Sequence, residues 1–168
     1  MISVVWAREP IPEGPAVFLA GPSAHAGSGV ESWRPAAVDE LRAQSTGSLT
    51  VLTPESRGGV RADRYEDQVG WECVARARAT VVLYWIPRDI ITLPGYTTNV
   101  EFGFDVGRGR RVVLGVPKTC PNPERNRYLV FVAGQEGVPV RTTLPGTVEA
   151  VLELVTAAAR APRPVLAS

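Results

Sequence analysis

The chain has 168 residues, of which 45% are hydrophobic, so it can form one domain with a sizeable core and is too apolar for a disordered protein. Lys and Arg number 18 against 17 Asp and Glu, which argues against the clustered positive charge needed to bind a nucleic-acid polymer or a membrane surface. Two cysteines and one histidine exclude a disulfide scaffold and argue against an ordinary zinc site. No apolar run has the length of a membrane helix and no secretory signal is visible, so we expect a cytoplasmic domain.

Residues 1–15, which contain three prolines, are expected to form an irregular lead-in, residues 16–161 a single domain and residues 162–168 a tail. Within the domain, short apolar runs alternate with segments of helical periodicity. In chain order, the pattern predicts strand 16–20, helix 32–44, strand 49–53, helix 63–78, strand 81–86, helix 97–109, strand 111–116, helix 128–132, strand 138–142 and helix 147–159. The composition of 128–132 favours a strand, but its position between two strands favours the helix.

Unbroken apolar strands that alternate with helices are typical of a parallel sheet covered on both faces. Five such units in this length predict an α/β fold with a doubly wound, flavodoxin-like five-stranded sheet of order 2-1-3-4-5. Ligands of such sheets bind beyond the carboxyl ends of the strands at the switch point, here between the first and third strands. The site is therefore expected in two loops, one that begins at Gly21 and one that runs from Pro87 to Glu101.

The first loop, 21–29, is rich in small residues, so its backbone N–H groups could approach an anion or a sugar hydroxyl. It lacks the lysine of a phosphate-binding P-loop and the third glycine of a dinucleotide-binding motif, so neither an ATPase nor a nicotinamide enzyme is supported. The alternative is a flexible surface loop. We expect His25 to be a solvated residue, because no Ser or Cys partner lies at a recognisable spacing from it.

The second loop carries more chemistry. Its candidate functional side chains are Trp85, Arg88, Asp89, Tyr96 and Glu101. Glu101 would lie near a helix N-terminus, where the helix dipole favours an ionised carboxylate, and such a carboxylate could attack a sugar carbon. The alternative is structural: Thr98-x-x-Glu101 matches a capping box, in which Glu101 accepts a hydrogen bond from the Thr98 N–H. From these residues alone the capping role is favoured.

Seven segments, in their order and spacing, resemble the nucleoside 2-deoxyribosyltransferase-like family. They are 17–22 (Val-Phe-Leu-Ala-Gly-Pro), 67–72 (Asp-Gln-Val-Gly-Trp-Glu), 79–87 (Ala-Thr-Val-Val-Leu-Tyr-Trp-Ile-Pro), 98–103 (Thr-Asn-Val-Glu-Phe-Gly), 111–117 (Arg-Val-Val-Leu-Gly-Val-Pro), 126–129 (Asn-Arg-Tyr-Leu) and 138–140 (Val-Pro-Val). The resemblance spans about residues 16–155. It implies a flavodoxin-like fold and cleavage of the N-glycosidic bond of a nucleoside or a nucleoside 5′-monophosphate.

The resemblance also implies the site residues. The family's catalytic glutamate, in a Glu-aliphatic-Gly turn, falls on Glu101, although Phe102 replaces the aliphatic residue. Asp89 is the candidate to hold the sugar or base and to protonate the leaving base, and Asp67 is a further acidic candidate. The predicted substrate contacts are Gly21, Pro22 and Ser23 on the sugar side, Trp85 and Tyr96 stacked on the base, and Arg88 and Asn99. A 5′-phosphate, if the substrate carries one, could bind to Arg34 and Arg88 with Ser23 or Ser28.

The resulting hypothesis is that Glu101 attacks the anomeric carbon to form a glycosyl-enzyme, which a second base resolves in a transferase and water resolves in a hydrolase. No cofactor or metal is expected, and family members are homo-oligomers, with which the aromatic residues Trp6 and Trp71 are compatible. Two alternatives remain open. The segment Pro94-Gly-x-Thr-Thr-x-x-Glu101 is similar to the signature of cytokinin-activating phosphoribohydrolases, and the same crevice would also suit a non-catalytic nucleotide-binding sensor.

Overall fold

The computed structural model describes residues 1–24, 28–60 and 62–161; the predicted tail and His25 lie outside them. In these residues the chain forms six strands and five α-helices. The strands are β1 (Ile2–Val5), β2 (Ala16–Ala20), β3 (Leu49–Leu52), β4 (Val81–Trp85), β5 (Val112–Gly115) and β6 (Val140–Arg141). The helices are α1 (Arg34–Gln44), α2 (Tyr65–Arg78), α3 (Tyr96–Gly107), α4 (Arg127–Gln135) and α5 (Leu144–Arg160).

The strands form one open sheet in the order β1-β3-β2-β4-β5-β6, and every pair is parallel. The predicted α/β fold is confirmed, and the five predicted strands have the predicted order. The sheet has six strands rather than five, because β1 adds to its outer edge. The strand order reverses between β2 and β4, so the carboxyl ends of these two strands mark the switch point.

The expectation of an irregular segment over 1–15 is wrong at residues 2–5. Ile2–Val5 form β1, whose ends pair with Leu49 and Leu52 of β3. The strand is half-buried at the sheet edge and is interrupted by Ser3, so it lacks the continuous apolar run of a central strand. Pairing with β3 therefore determines its structure more than its own sequence does.

The predicted helix over 128–132 is confirmed and is longer than expected, as α4. The last helix, α5, begins three residues before its predicted start, because Thr143 acts as its N-cap and its side chain accepts a hydrogen bond from the Gly146 N–H at 3.2 Å. Pro145 is tolerated in the first turn, where its missing N–H would have had no helical partner.

Strand residues alternate between two apolar layers on opposite faces of the sheet. Phe18 and Tyr84 belong to the layer that contains buried residues of α2, α3 and α4, and the Tyr84 ring meets Phe102 of α3 edge-on at 5.3 Å. Leu19 and Leu83 belong to the opposite layer, with α1 and α5. Among the helices of the described residues, none is long and apolar enough to cross a membrane.

Candidate active site

A cavity of about 360 Å³ lies at the carboxyl ends of β2 and β4, where the topology predicts a site. The loop after β2, helices α1 and α2, and the start of α3 supply its walls. The polar and aromatic groups that line it include Ser23, Arg34, Tyr65, Gln68, Glu72, Tyr96, Thr98 and Glu101, and its backbone walls include Gly21, Pro22 and Gly95. Of the predicted residues, Gly21, Pro22, Ser23, Tyr96 and Glu101 are therefore brought together.

Gly21 determines the path of the first loop. Its φ is 150°, and a Cβ atom there would overlap the carbonyl oxygen of Trp85 and the ring of Trp33. Glycine therefore lets the loop cross directly over the end of β4, as close backbone approach requires.

Arg34, which is only 2% exposed, holds the first loop in place by hydrogen bonds. Its guanidinium donates to the carbonyl oxygens of Leu19 at 3.2 Å and Gly21 at 2.8 Å and to the Ser23 hydroxyl at 2.9 Å. It also pairs with Glu55 at 3.2 Å. Arg34 lines the cavity as a structural cation whose hydrogen-bonding capacity is already largely used.

Arg88 and Asn99, which the sequence predicts to contact substrate, belong to a hydrogen-bond network at the entry to α3. The buried Arg88 guanidinium donates to the Pro94 carbonyl, to Asn99 Oδ1 at 2.6 Å and to Asn126 Oδ1 at 2.9 Å. Neither Arg88 nor Asn99 lines the cavity. Gly95, at φ 63°, turns the chain into the helix beside this guanidinium. The network joins the end of β4 to the first turn of α3.

Glu101 lies in the second turn of α3 with its side chain 17% exposed, and it faces the cavity. The capping box considered for Thr98 and Glu101 is wrong. The N-cap of α3 is Gly95, and no side-chain capping hydrogen bond forms, because the helix begins two residues before Thr98. Glu101 is thus too far along the helix to cap it, and the helix dipole acts on it only weakly.

The surroundings of Glu101 make it a carboxylate of intermediate acidity. Burial raises the pKa of Glu101 to about 7; the nearby charge of Arg76 opposes this, and those of Glu72 and Asp105 add to it. An Arg76 guanidinium nitrogen lies 3.7 Å from a Glu101 carboxylate oxygen. At neutral pH the carboxylate is consequently poised between its two protonation states, as active-site acids often are.

Glu72 of α2 is the second carboxylate of the cavity. Burial raises its pKa, and a hydrogen bond from the Gln68 side chain to Glu72 Oε1, at 2.6 Å, works in the opposite direction. Gln68 is held in turn, since the same amide nitrogen donates to the Pro54 carbonyl at 2.8 Å. The sequence analysis assigned no role to Glu72. The spacing of Tyr65, Gln68 and Glu72 on one helical face was the available signal.

The other two predicted carboxylates are placed elsewhere. Asp67 is exposed on α2. It lies a step of five residues before Glu72, so the two side chains point about 140° apart around the helix axis. Asp89 closes a turn: its carboxylate accepts from the Ile91 N–H at 2.9 Å and the Thr92 hydroxyl at 2.8 Å, and these bonds lower its pKa. Neither Asp67 nor Asp89 lines the cavity.

Trp85 is also outside the cavity lining. It is 8% exposed and belongs to the apolar layer on the α1 and α5 side of the sheet, where its ring covers Gly115. Because neighbouring strand residues face opposite sides, Tyr84 points toward the layer of α3 and Trp85 points away from it. Tyr96, which is 76% exposed, is the predicted aromatic that does line the cavity.

The fold and the cavity define an open, doubly wound α/β protein with two partly buried carboxylates at its switch point. The model of the nucleoside 2-deoxyribosyltransferase-like family matches residues 14–120, a span that contains Gly21, Glu72 and Glu101. The chain belongs to this family, and the resemblance seen in the sequence is confirmed. Membership indicates a nucleoside deoxyribosyltransferase-like function. A search of the curated proteins finds no match.

Glu101→Gln is predicted to stabilise the protein at alkaline pH. The folded pKa of Glu101, about 7, lies above the ordinary value of 4.5, so the stability this group contributes is present at low pH and lost as pH rises through 7. Glutamine does not ionise. The gain in unfolding free energy over the wild type should therefore grow between pH 5 and pH 8, by at most about 3 kcal/mol.

Urea unfolding at the two pH values measures this difference. Glu66→Gln, at an exposed site on the other cavity-lining helix, α2, is the matched control and should leave the pH dependence as in the wild type. A Glu101→Gln effect of equal size at both pH values would contradict the buried, proton-binding environment described for Glu101.

Proposed function

We propose that the protein cleaves the N-glycosidic bond of a nucleoside with Glu101 as the nucleophile. The observation that carries the proposal is a carboxylate 17% exposed, with a pKa of about 7, that faces the switch-point cavity. Such a group is ionised in a substantial fraction of molecules at neutral pH, and it has little water around it to compete with the substrate. Membership in the family supports a nucleoside as the substrate.

In the proposed first step, a Glu101 oxygen bonds to C1′ of the sugar as the bond between C1′ and the base nitrogen breaks, through an oxocarbenium-like transition state. The bonding electrons leave with the base, which takes up a proton. In the second step, the nitrogen of another base or the oxygen of water bonds to C1′ and loses a proton to the group that protonated the first base, and the Glu101 carboxylate is released. The first outcome is a transferase reaction and the second a hydrolase reaction.

Glu72 is the proposed proton donor to the departing base, in place of the predicted Asp89. It lines the same cavity as Glu101, and burial raises its pKa, which favours the protonated form that a general acid needs. Arg76 lies 3.7 Å from Glu101, so of the two carboxylates Glu101 is the one directly beside a cation. The proposal therefore assigns the attack to Glu101, which the cation of Arg76 favours in its ionised form, and the proton transfer to Glu72.

The loop at Gly21, Pro22 and Ser23 is proposed to face the sugar, and Tyr96 the base. The loop offers backbone groups and one hydroxyl at the end of β2, whereas Tyr96 presents an aromatic ring at the start of α3, and both line the cavity with Glu101. Stacking on a ring suits every base, so this arrangement sets the position of the base and not its identity.

Among the described residues that line the cavity, the charged groups are Arg34, Glu72 and Glu101. Arg34 is already paired with Glu55 and bonded to the first loop. The described part of the cavity is thus acidic, which favours an uncharged nucleoside over its 5′-monophosphate.

We further propose that the protein self-associates through the outer face of α3. Tyr96, Val100 and Phe104 recur every four residues on this face and are 76%, 68% and 53% exposed. Tyr128 and Phe131 of α4 add exposed aromatic area, at 75% and 61%. Apolar surface of this kind in a soluble protein commonly marks an interface.

Glu101→Ala is predicted to lower the rate of base release from nucleosides at least about 1000-fold, because the attacking oxygen is removed. Chromatographic detection of free base, with nucleosides and their 5′-monophosphates as substrates, measures the rate. Glu66→Ala, on the exposed side of α2, is the control and should retain wild-type activity. Undiminished turnover in Glu101→Ala would refute the proposal, and binding without release by the wild-type protein would favour the sensor.

Glu72→Gln is predicted to slow release of an ordinary base about 100-fold or more, because the leaving nitrogen is no longer protonated. The loss should be much smaller for a 7-methylguanine nucleoside, whose positively charged base leaves without an added proton. Asp89→Asn makes the same chemical change outside the cavity and should have little effect on either substrate. The reverse pattern, with loss in Asp89→Asn alone, would assign the acid to Asp89.

Phe104→Asp is predicted to convert the protein to a monomer, because it puts a charge in the centre of the exposed face of α3. Sedimentation velocity at micromolar concentration gives the assembly state. Val60→Asp introduces the same charge at a 66% exposed position outside this helix and should leave the assembly intact. A wild-type protein that sediments as a monomer would rule out this interface.

A further inference from the structure

Arg76, near the end of α2, lies between two carboxylates of α3. It is 6% exposed, and it donates to Asp105 Oδ1 at 2.8 Å through one terminal nitrogen. Its other terminal nitrogen is 3.7 Å from Glu101 Oε1. Since residues 101 and 105 are one helical turn apart, a single guanidinium contacts both carboxylates from the same side.

Asp105 anchors Arg76 by this hydrogen bond. Its carboxylate is fully buried and also accepts hydrogen bonds from the Tyr84 hydroxyl at 2.8 Å and from Arg110. Burial raises the pKa of Tyr84, with the Asp105 charge acting in the same direction, so the phenol stays a donor. Strand β4, α2 and the segment after α3 thus converge on one carboxylate, which anchors the arginine next to Glu101.

The contact between Arg76 and Glu101 has the geometry of an ion pair without a hydrogen bond. At 3.7 Å the guanidinium supplies positive charge, and no hydrogen bond from it occupies the carboxylate oxygen that would attack the sugar. In the described residues, the Arg76 Nε atom is buried and has no hydrogen-bond partner. An unsatisfied buried donor is costly to stability, which calls for a reason to keep an arginine at this position.

We propose that Arg76 is the positioning residue of the nucleophile: anchored by Asp105, it increases the ionised fraction of the Glu101 carboxylate and directs it into the cavity while leaving its oxygens free to react. The inference rests on the proposed role of Glu101 as nucleophile. It adds a function for the buried network of Asp105, which would otherwise only join α2 to α3. A closer, fully paired arginine would make Glu101 a weak nucleophile, and an absent one would leave it protonated beside Glu72.

The charged and titratable groups around Glu101 agree with this assignment. Glu72 and Asp105 raise the pKa of Glu101 in addition to burial, whereas Arg76 and, to a smaller extent, Arg34 lower it. On its other side Glu101 borders a smaller cavity of about 210 Å³. The charged and titratable groups that line the two cavities at Glu101, or interact with its charge, are Arg34 of α1, Tyr65, Glu72, Cys73 and Arg76 of α2, Tyr84 of β4, Tyr96 and Asp105 of α3, and Arg108 and Arg110 after it.

The test is a direct titration of the Glu101 carboxyl carbon by NMR, and the Glu101→Gln variant assigns its signal. The pH profile of kcat/KM for base release is measured on the same variants. The wild-type midpoint is expected near 7. Arg76→Gln should raise it by at least about one pH unit, which reduces the ionised fraction and the rate at pH 7 about fivefold. Arg76→Lys should restore most of the shift. Asp105→Asn, which weakens the anchor of Arg76, should also raise the midpoint, because the Arg76 charge lowers the pKa of Glu101 more than the Asp105 charge raises it.

Tyr84→Phe is the control for damage to the same network, since it deletes a hydrogen bond to Asp105 without changing a charge. This variant should change the stability of the protein and leave the Glu101 titration midpoint near that of the wild type. An unchanged midpoint in Arg76→Gln would overturn the inference. If Arg76→Gln does not fold, an Asp105→Asn midpoint at or below the wild-type value overturns it instead. The NMR midpoint does not depend on turnover, so failure of base release in the wild-type protein is separately recognised as failure of the proposed function.

Discussion

The burial of Asp105 is the constraint on which the candidate site depends. A carboxylate with no exposed surface needs charged or polar donors around it, and here Arg76, Tyr84 and Arg110 supply them. The hydrogen bond from Arg76 to the Asp105 carboxylate links α2 to α3. Arg76 then lies beside Glu101, one turn before Asp105, and the acidity of the proposed nucleophile follows from how its own burial balances that single cation.

Most of the fold could be predicted because central parallel strands are buried on both faces. Strands such as β2 and β4 read as unbroken apolar runs, and the helices between them have clear periodicity, which together indicate a doubly wound sheet and its switch point. β1 could not be predicted in this way, since four half-buried residues at an edge are specified by their pairing with β3. The early start of α5 depends on a cap at Thr143 that lies outside the apolar pattern.

The sequence predicts the residues that line the cavity where the backbone topology determines their position. It does not predict them where the direction of a side chain determines whether it lines the cavity. Gly21 to Ser23 and Glu101 line the cavity because they follow the two strands at the switch point. Trp85 also lies at the carboxyl end of a switch-point strand, but the alternation of side chains along β4 places it in the opposite apolar layer. On α2 the sequence offers several carboxylates within one turn and a half, and only the rotation of the helix against the sheet separates the lining Glu72 from the exposed Asp67.

The central claim is that a Glu101 oxygen forms a covalent bond to the sugar. It is tested most directly by stopping the reaction of wild-type protein and a 2′-deoxynucleoside with acid and mapping the digested peptides by mass spectrometry. The account predicts a mass gain of one deoxyribosyl group on the peptide that contains Glu101, with the fragment ions placing it on that side chain. Base release accompanied by a sugar adduct on a different residue would contradict it.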